Sequence, residues 1–384
     1  MRIHTVKQNE KISDIARKYG VDEDILRMNN GLENGECAEG EDVLVLTPTR
    51  TYTVRKGDTA ERLALRFGIR RRDIIAMNPR IESEGLVPGR ILALKYDQRS
   101  YGMAAANGYY YNGCSPEELN KKLSYLTYVT VGCQAAEDGR LRRLFDGRDA
   151  VGIARSADKI PLMRVYNLTP CDKISKEKYL FFTDSIINQA TRGGYKGVTL
   201  AGFIPSAELL VDMRRRMIGC DLILITEINE KSPPYMSEYA DGSIMTHSGS
   251  YDGCTDIDAY KKYATELESS RTFATLPSFA ERGDKYLTVD EALKQARRGG
   301  YKLEYREDSG ALEYNDKNGS LTSLPSLRKI KAILDTVHEY GYMGISFDIM
   351  RAPISYLMMY NSCYGTSTYT SVRSQEGCSR ARGE

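Results

Sequence analysis

The first 97 residues contain one sequence unit twice, at a spacing of about 48 residues. The matching stretches, first copy then second, are residues 4–6 with 52–54, 15–16 with 63–64, 19–21 with 67–69, 28–29 with 77–78, and 43–44 with 91–92. This alignment places one extra residue in the second copy before Met77 and restores the original offset before Ile91. A repeat of this length indicates one small supersecondary unit followed directly by a second copy.

The periodicity within each unit predicts the order β-α-α-β. A short β-branched run opens the unit, and apolar residues then recur at i, i+3, i+4 and i+7, as one helical face requires. Gly20 and Gly68 stand where a helix C-cap needs a positive φ. A second helix ends near Asn29 or Asn78, and a short strand closes the unit. We expect these two domains at residues 1–47 and 51–97.

This pattern resembles the LysM module, whose members bind the N-acetylglucosamine backbone of peptidoglycan and chitin. The second copy has the family's Gly-Asp-Thr loop as Gly57, Asp58 and Thr59, and its Asn-Pro as Asn78 and Pro79. The resemblance implies that these five residues line a sugar groove between the first strand–helix loop and the loop after the second helix. The matching loop of the first copy is Asn-Glu-Lys at residues 9–11, so sugar binding by that copy stays open. The alternative is that both repeats only fold and join domains.

The two copies also differ in charge. Residues 1–50 hold 7 Lys or Arg and 10 Asp or Glu, whereas residues 51–97 hold 10 and 6. Net charges of −3 and +4 would let the copies pair with each other or with a neighbouring molecule. The other interpretation is that both sets of charges lie on solvated helix faces.

From about Tyr101 the sequence alternates short apolar runs with amphipathic helical stretches. The predicted strands are residues 102–106, 128–131, 162–166, 197–203, 222–226, 244–246, 272–276 and 344–347. Alternation of strand and helix predicts a parallel sheet, and eight repeats over this length predict a closed (β/α)₈ TIM barrel, an α/β fold. The active sites of such barrels lie at the carboxyl ends of the strands.

Several stretches of the body resemble glycoside hydrolase family 18 domains of spore cortex-lytic N-acetylglucosaminidases. Residues 288–293 are similar to the family's helix after the seventh strand. Residues from Tyr305 onward are similar to its inserted small α+β segment, and residues 340–346 to the approach to the eighth strand. We therefore expect a family 18-like barrel at residues 101–360 and a polar tail at residues 361–384.

The resemblance also locates the catalytic positions. Members of this family use one Glu as general acid, and the substrate's own acetamide attacks the anomeric carbon, held by an Asp and a Tyr. Their fourth strand reads Asp-Gly-x-Asn-x-Asp-x-Glu, and the corresponding residues 196–203 here read Lys-Gly-Val-Thr-Leu-Ala-Gly-Phe. The inward row is therefore predicted to be Thr199, Ala201 and Phe203, and His247 replaces the assisting Tyr. Because none of these can replace the lost acid and its helpers, the sequence predicts a pseudoenzyme without catalytic residues.

A competing hypothesis is that the barrel still hydrolyses glycans, with carboxylates at positions other than those of the family. Glu227 follows the fifth predicted strand and Asp348 ends the eighth, so both are alternative acids at the barrel mouth. They are otherwise solvated or paired residues of the rim. Three consecutive tyrosines, residues 109–111, are either a sugar platform or packing residues.

The charge, hydropathy and cysteine content of the sequence limit the partners that the protein is expected to bind and the cellular compartment where it is expected to be found. The net charge is +2 over 384 residues, which gives no electrostatic reason to expect nucleic acid, and no apolar run is long enough to span a membrane. The N-terminus lacks the pattern of a secretory signal peptide, so we expect synthesis in the cytoplasm of a mother cell and association with the spore cortex or coat. None of the eight cysteines forms a metal-binding pair with a second Cys or a His, and we expect neither a metal nor a cofactor. Free thiols are expected, with Cys363 and Cys378 as the candidates for a disulfide-linked assembly.

Two functions follow. The first is a peptidoglycan- or chitin-binding protein of the spore envelope, with a scaffold or lectin barrel and with other envelope proteins as further partners. The second is an active N-acetylglucosaminidase that uses relocated carboxylates. An enzyme of another class has no motif in its favour.

Overall fold

The computed structural model describes residues 1–32, 35–96, 101–137, 140–167, 176–202, 204–246 and 257–366. The strands are β1 (Arg2–Thr5), β2 (Asp42–Val45), β3 (Pro48–Thr53), β4 (Ile91–Tyr96), β5 (Met103–Tyr110), β6 (Tyr128–Glu137), β7 (Arg140–Arg143), β8 (Ile160–Asn167), β9 (Gly197–Ala201), β10 (Ile223–Ile228), β11 (Gly242–Met245), β12 (Thr272–Thr275), β13 (Phe279–Arg282), β14 (Lys285–Thr288), β15 (Glu304–Arg306), β16 (Ala311–Asn315), β17 (Leu321–Pro325), β18 (Gly344–Asp348) and β19 (Gly365–Thr366). The α-helices are α1 (Ile12–Tyr19), α2 (Glu23–Asn29), α3 (Ala60–Phe67), α4 (Arg71–Met77), α5 (Ile81–Glu84), α6 (Pro116–Lys122), α7 (Arg148–Ser156), α8 (Lys176–Arg192), α9 (Ala207–Gly219), α10 (Tyr235–Glu238), α11 (Ile257–Glu266), α12 (Val289–Gly299), α13 (Leu327–Glu339) and α14 (Ile354–Cys363).

Two β-α-α-β modules open the chain, as the repeat predicted. Module 1 is β1, α1, α2 and β2, and module 2 is β3, α3, α4 and β4 with the short α5 added. The two strands of each module pair antiparallel. Gly20 and Gly68 end α1 and α3 with φ of 63° and 64°, which confirms both as left-handed C-caps.

The structure corrects the register of the repeat at its second half. Asn30 and Asn78 make the same three hydrogen bonds, so Asn30 and not Asn29 is the partner of Asn78. The Asn30 amide donates to the Leu26 and Leu44 carbonyls, and its Oδ1 accepts from Leu44 N–H. The closing strands match at an offset of 49, because His4 pairs with Val43 and Tyr52 pairs with Leu92. The extra residue of module 2 therefore lies after its second helix.

Eight parallel strands form the closed barrel that strand–helix alternation predicted. Their order around the barrel is β5, β6, β8, β9, β10, β11, β12 and β18, and β18 pairs with β5 to close it. Each predicted barrel strand coincides with one of these. The barrel interior carries its own apolar cluster, which includes Tyr109, Leu162, Ile225 and Phe273. A second and larger core lies between the strands and the surrounding helices.

The inserted α+β segment lies between the seventh and eighth barrel strands. It is a five-stranded antiparallel sheet in the order β14-β13-β17-β16-β15, with α12 packed on it. The segment starts at Phe279, well before the expected start at Tyr305. The helix predicted at residues 288–293 is α12, but it belongs to the insert, because its buried Val289, Ala292 and Ala296 share the insert's core.

The modules pack against the barrel body without a gap in the apolar core. One cluster of buried residues runs from Ile15 and Leu26 in module 1 to Tyr125 and Met358 in the body. The Tyr125 hydroxyl, at the end of a 3₁₀ helix, donates to the Ala76 carbonyl of α4 at 2.7 Å. The modules are therefore integral layers of the molecule.

Two acidic residues of module 1 form ion pairs across this junction. Glu41 pairs with Arg297 at 2.6 Å, and Asp42 pairs with Arg328 at 2.9 Å. Both acids are buried, and both arginines belong to the body. The acidic side of module 1 thus faces the body and not the basic module 2.

The last described helix, α14, continues three residues past the expected domain end at residue 360, and all but the first of its residues are buried. Burial raises the pKa of the Cys363 thiol to about 11, which disfavours the thiolate that disulfide exchange needs. Cys378, the other candidate for a disulfide-linked assembly, lies outside the described residues. Within the described ranges, no helix is both long and apolar enough to cross a bilayer.

Candidate functional site

The fourth barrel strand, β9, turns Thr199 and Ala201 toward the barrel axis. The alternate residues Val198 and Leu200 belong to the core between strands and helices, and successive side chains of a strand point to opposite faces. Thr199 and Ala201 are fully buried, and Thr199 Oγ1 has no hydrogen-bond partner among the described residues. Phe203 and His247, the other two positions compared with the family, lie outside the described residues.

A buried ion pair occupies the barrel next to this strand. Arg164 of β8 donates from Nε to Glu227 Oε1 at 2.6 Å and from Nη2 to Oε2 at 2.7 Å. The Tyr109 hydroxyl donates to Glu227 Oε1 at 2.9 Å. Only 5% of Arg164 and 8% of Glu227 is exposed, so this is a bidentate pair shielded from water.

The ion pair bridges β9, the fourth barrel strand. Thr199 pairs with Arg164 on one side and with Ile225 on the other, two residues before Glu227. Arg164 and Glu227 therefore reach each other across β9, above the small side chains of Thr199 and Ala201. In this chain, a salt bridge therefore joins the third and fifth barrel strands across the fourth.

Asp348, at the end of the eighth strand, is also fixed by its neighbours. Its Oδ1 accepts from the backbone N–H groups of Met350 and Arg351 at 2.8 and 3.1 Å, and from the Tyr111 hydroxyl at 3.1 Å. Its Oδ2 lies 3.3 Å from the Arg351 guanidinium, which in turn stacks over Phe279. Burial is the largest influence on Asp348 and raises the pKa of this carboxyl.

The three consecutive tyrosines divide between packing and the mouth. Tyr109 and Tyr110 are buried, and Tyr111 is half-buried beside Asp348. Burial, with the Glu227 charge, raises the pKa of Tyr109 far above its ordinary range, so its hydroxyl stays protonated and remains a donor to Glu227. Only Tyr111 is placed as a sugar platform would need.

The Glu227 and Asp348 carboxyls are both engaged by other side chains. A general acid needs a proton to give and access to the substrate oxygen. Both oxygens of Glu227 are occupied by Arg164, and Asp348 accepts three hydrogen bonds and an ion pair. Glu227 lies next to the end of β10 and Asp348 at the end of β18, and both are paired.

The Gly-Asp-Thr loop of module 2 has a structural task for each residue. Gly57 has φ of 86°. Asp58 accepts from the Tyr52 hydroxyl at 2.8 Å and from Arg55 N–H at 2.7 Å, and these hydrogen bonds lower the pKa of its carboxyl. Thr59 caps α3 by accepting from Arg62 N–H. Gly57 and Thr59 are exposed at the lip where sugar contact is predicted.

The Asn-Pro pair lies inside the module. The Asn78 amide donates to the Ile74 and Ala93 carbonyls, and its Oδ1 accepts from Ala93 N–H, all at 2.8 Å. Asn78 and Pro79 are both buried. Asn78 joins the end of α4 to β4 and so shapes the groove, and contact of either side chain with sugar stays a prediction.

Module 1 keeps the loop geometry with different residues. Asn9 takes the place of Gly57 and has φ of 60°, which Asn tolerates better than most side chains. Glu10 accepts from Lys7 N–H at 2.9 Å and pairs with His4 Nε2 at 2.8 Å, matching the two contacts of Asp58. The unlike sequence of this loop therefore builds the same turn.

The sequence interpretation missed Arg164 as a functional residue. It stands in a predicted strand between apolar neighbours, and a long cation at an inward position of a buried strand requires a partner. That signal identifies Arg164 as paired. The partner is 63 residues away in sequence and becomes a neighbour only when the barrel closes.

Comparison with known proteins agrees with this architecture. The LysM domain family matches residues 4–36 and 52–95. No curated protein sequence matched the chain. The spore cortex-lytic enzyme SleL of Bacillus megaterium QM B1551 superposes with a TM-score of 0.74 at 16% identity, over 96% of this chain and 99% of that one. SleL of Bacillus cereus gives 0.71 at 17%, over 96% and 100%.

The barrel alone accounts for a second group of similar structures. A chitinase from Chromobacterium violaceum ATCC 12472 superposes with a TM-score of 0.59 at 13% identity, over 67% of this chain and 98% of that one. Identities this low establish the fold and leave the activity open. The chain thus carries two LysM domains followed by an eight-stranded parallel TIM barrel, the fold of the SleL structures.

Proposed function

We propose that this protein binds N-acetylglucosamine polymers of the peptidoglycan or chitin type in the spore envelope, and that its barrel does not hydrolyse them. The Arg164–Glu227 pair across β9 is the observation that carries the second half of this proposal. It fills the place where family 18 chemistry requires acids, and it removes the nearest carboxylate from use.

Binding is supported by the two LysM matches and by the preserved loop geometry of both modules. LysM domains and the SleL and chitinase structures are associated with glycans built from N-acetylglucosamine. Module 2 presents Gly57 and Thr59 at an exposed lip, and its Asp58 holds the turn. These are the features from which glycan binding is inferred.

Loss of hydrolysis is supported at the fourth strand. Thr199 and Ala201 carry no acid, and a missing general acid alone costs about 10²–10⁴ in rate. Loss of the groups that stabilise the reacting acetamide removes a further electrostatic contribution, which is commonly the largest. Spore association and synthesis in the mother cell are part of this proposal and rest on the resemblance alone.

The second candidate function is hydrolysis through relocated carboxylates, and one observation favours it. Asp348 ends a barrel strand, where TIM-barrel active sites lie, and burial raises its pKa, as is common for catalytic acids. Its four contacts with Met350, Arg351 and Tyr111 argue against this function, because three of them occupy Oδ1 and the Arg351 guanidinium lies against Oδ2.

One experiment separates the two. Purified cortex peptidoglycan and chitin are incubated with the protein, and retention and release of reducing ends are measured together. We expect retention without release for the native protein, for Glu227→Gln and for Asp348→Asn. Release that is abolished by Asp348→Asn, or by Glu227→Gln at a temperature where that variant is still folded, but unchanged in the exposed control Asp146→Asn, would establish hydrolysis. Failure to be retained on either glycan would refute the binding proposal.

A further inference from the structure

The two modules present the same loop in different surroundings. The loop joins the second helix to the closing strand, and its end is fixed in both copies by a pair of backbone hydrogen bonds. Gly40 N–H donates to Val6 O and Gly89 N–H to Val54 O, both at 2.8 Å. Gly40 and Gly89 are therefore equivalent residues, and their neighbours can be compared position by position.

In module 1 this loop is docked on the insert. Leu303 N–H donates to Glu39 O at 2.8 Å, and a Cβ on Gly40 would lie 1.9 Å from Leu303 O. Ala38 is 4% exposed and shares the insert's core. Glu41 is held by Arg297. One wall of the module 1 groove is therefore committed to a contact within the molecule.

The same loop also closes toward the first helix of module 1. A Cβ on Gly35 would lie 3.2 Å from Ile12 Cγ2, at the start of α1. Cys37, which lies in the same loop between Gly35 and Gly40, is half-buried. Burial raises the pKa of its thiol to about 12. The space between the two loops of module 1 is already occupied by its own residues.

In module 2 the equivalent loop is open. Val87, the counterpart of Ala38, is 41% exposed, and a Cβ on Gly89 would meet no atom within 4 Å. Pro88 and Gly85 are exposed as well. An apolar side chain exposed between glycines at a groove wall offers a surface on which a sugar ring can pack.

The opposite lip of module 2 is cationic. Arg55, Lys56 and Arg62 form no ion pair with any described residue, and Arg55 and Lys56 directly precede the exposed Gly57. The Arg62 guanidinium donates to Gly57 O at 3.2 Å, which brings its charge to the same lip. The equivalent residues of module 1 are Lys7, Gln8 and Asp14, which carry no net charge together.

From these contrasts we infer that the modules have different tasks: module 1 docks the insert onto the barrel body, and module 2 alone holds the glycan, preferring an N-acetylglucosamine polymer that carries carboxylates over a neutral one. This inference rests on the proposed glycan binding. The free carboxylates of peptide-bearing glycan strands complement three unpaired cations, whereas uncharged chitin does not.

The test uses the full chain and a matched pair of lip variants, Lys56→Glu in module 2 and Gln8→Glu in module 1. Both positions are exposed, and equal thermal midpoints verify that both variants fold. We expect Lys56→Glu to weaken binding to peptidoglycan about fivefold, as reversal of a surface charge allows, and Gln8→Glu to leave it unchanged. Equal weakening by the two variants would overturn the division of tasks.

The ligand class is tested with one glycan in two forms. Peptidoglycan fragments are compared with the same fragments after their carboxylates have been amidated. The native protein is expected to prefer the untreated form, with a preference that shrinks as salt is added and disappears in Lys56→Glu. Equal binding of both forms would refute the carboxylate preference. Absence of binding to either form and to chitin would instead mean that the proposed function has failed.

Discussion

Glu227 and Arg164 form a buried ion pair inside the barrel, where each side chain depends on the other. Desolvating two charges is costly, and their attraction offsets that cost only when the remaining hydrogen bonds are satisfied. Glu227 meets this condition through the two Arg164 contacts and the Tyr109 hydroxyl. The stability of the ion pair thus requires all three hydrogen bonds to Glu227, and neither charge is stable in this buried site without the other.

Glu227→Gln should therefore destabilise the protein strongly. Arg164 would keep its charge in a buried site without a countercharge, and breaking a buried pair from one side costs about 3–5 kcal/mol. Urea denaturation measures the change. The double variant Glu227→Leu with Arg164→Met should lose less than the single one, because no charge is left buried. Asp146→Asn, which breaks an exposed pair with Arg148, should leave the unfolding midpoint unchanged. A loss for the single variant no larger than that of Asp146→Asn would contradict the burial argument.

Asp348 should make stability depend on pH with a sign opposite to that of a carboxylate stabilised by its partners. Burial raises its pKa in the folded chain, so the native state retains a proton that the unfolded chain has lost. The free energy of unfolding contributed by this group therefore falls as the pH rises from the unfolded pKa, about 3.9, through the folded one.

Asp348→Asn removes this contribution. Urea denaturation at intervals from pH 4 to 7 should show that the variant gains stability relative to the native protein as the pH rises, and that the difference then levels off. The difference between the two proteins cancels the titration of all other carboxyls. A difference that is constant with pH would refute the prediction.

At the scale of elements, Asn30 and Asn78 account for how two modules of unlike sequence keep one shape. Each amide joins the end of a second helix to a closing strand, with contacts of 2.7–2.8 Å in both copies. A side-chain amide offers two N–H donors and an acceptor oxygen without carrying a charge. The amide of Asn78 is buried and that of Asn30 is half-buried, and each fixes the closing strand of its small module.

Asn78→Ala should loosen module 2 specifically. It leaves two carbonyls and one N–H of the module without partners, which we expect to cost on the order of 3 kcal/mol. Hydrogen exchange of the Ala93 amide should accelerate, while that of Leu44 in module 1 stays slow. Asn30→Ala is the matched control and should show the reverse. Acceleration in both modules by either variant would mean that the clamps are not local.

The sequence predicts the elements well where the signal is local. All eight barrel strands are short apolar runs bounded by turns, and Gly20 and Gly68 follow complete helical faces. The strand carrying Thr199 and Ala201 is fixed in the same way, so its inward row follows from period two. The extent of the insert was misjudged because a helix that packs on a five-stranded sheet has the same periodicity as one that packs on a barrel.

The sequence does not predict contacts that depend on closure or docking. Glu227 was identified at the mouth, but its partner lies on a strand that is not adjacent to its own. The acids of module 1 were considered for pairing with module 2, yet Glu41 and Asp42 pair with arginines more than 250 residues away. Counting charges in the sequence gives the net charge of a module. It does not show which part of the molecule the charged residues contact.

At the scale of the whole molecule, the modules, insert and barrel share interfaces that make them one body. Gly40 lies at the tightest of these, where it combines φ of 82° with a contact that excludes any side chain. Gly89 has φ of 89° and open space around it. Substitutions at these two glycines therefore distinguish the cost of a strained backbone, which both share, from the cost of disturbing the contact with the insert, which only Gly40 makes.

Gly40→Ala should be more destabilising than Gly89→Ala. Both incur the cost of a side chain at positive φ, about 1 kcal/mol, and only Gly40→Ala must also displace Leu303, which we expect to add about 1–3 kcal/mol. Thermal unfolding gives the totals, and limited proteolysis should show new cleavage in the insert for Gly40→Ala only. Equal losses would show that module 1 and the insert are not held at this point.

The shared core between modules and barrel determines how an anchored molecule would stand on its glycan. A module on a flexible tether lets its partner domain sweep a volume set by the length of the linker. Here Tyr125 and Ala76 are hydrogen-bonded across the junction, so the barrel turns only when module 2 turns. Copies attached to parallel glycan strands would therefore present their barrel mouths in a common direction and would form a layer of uniform orientation.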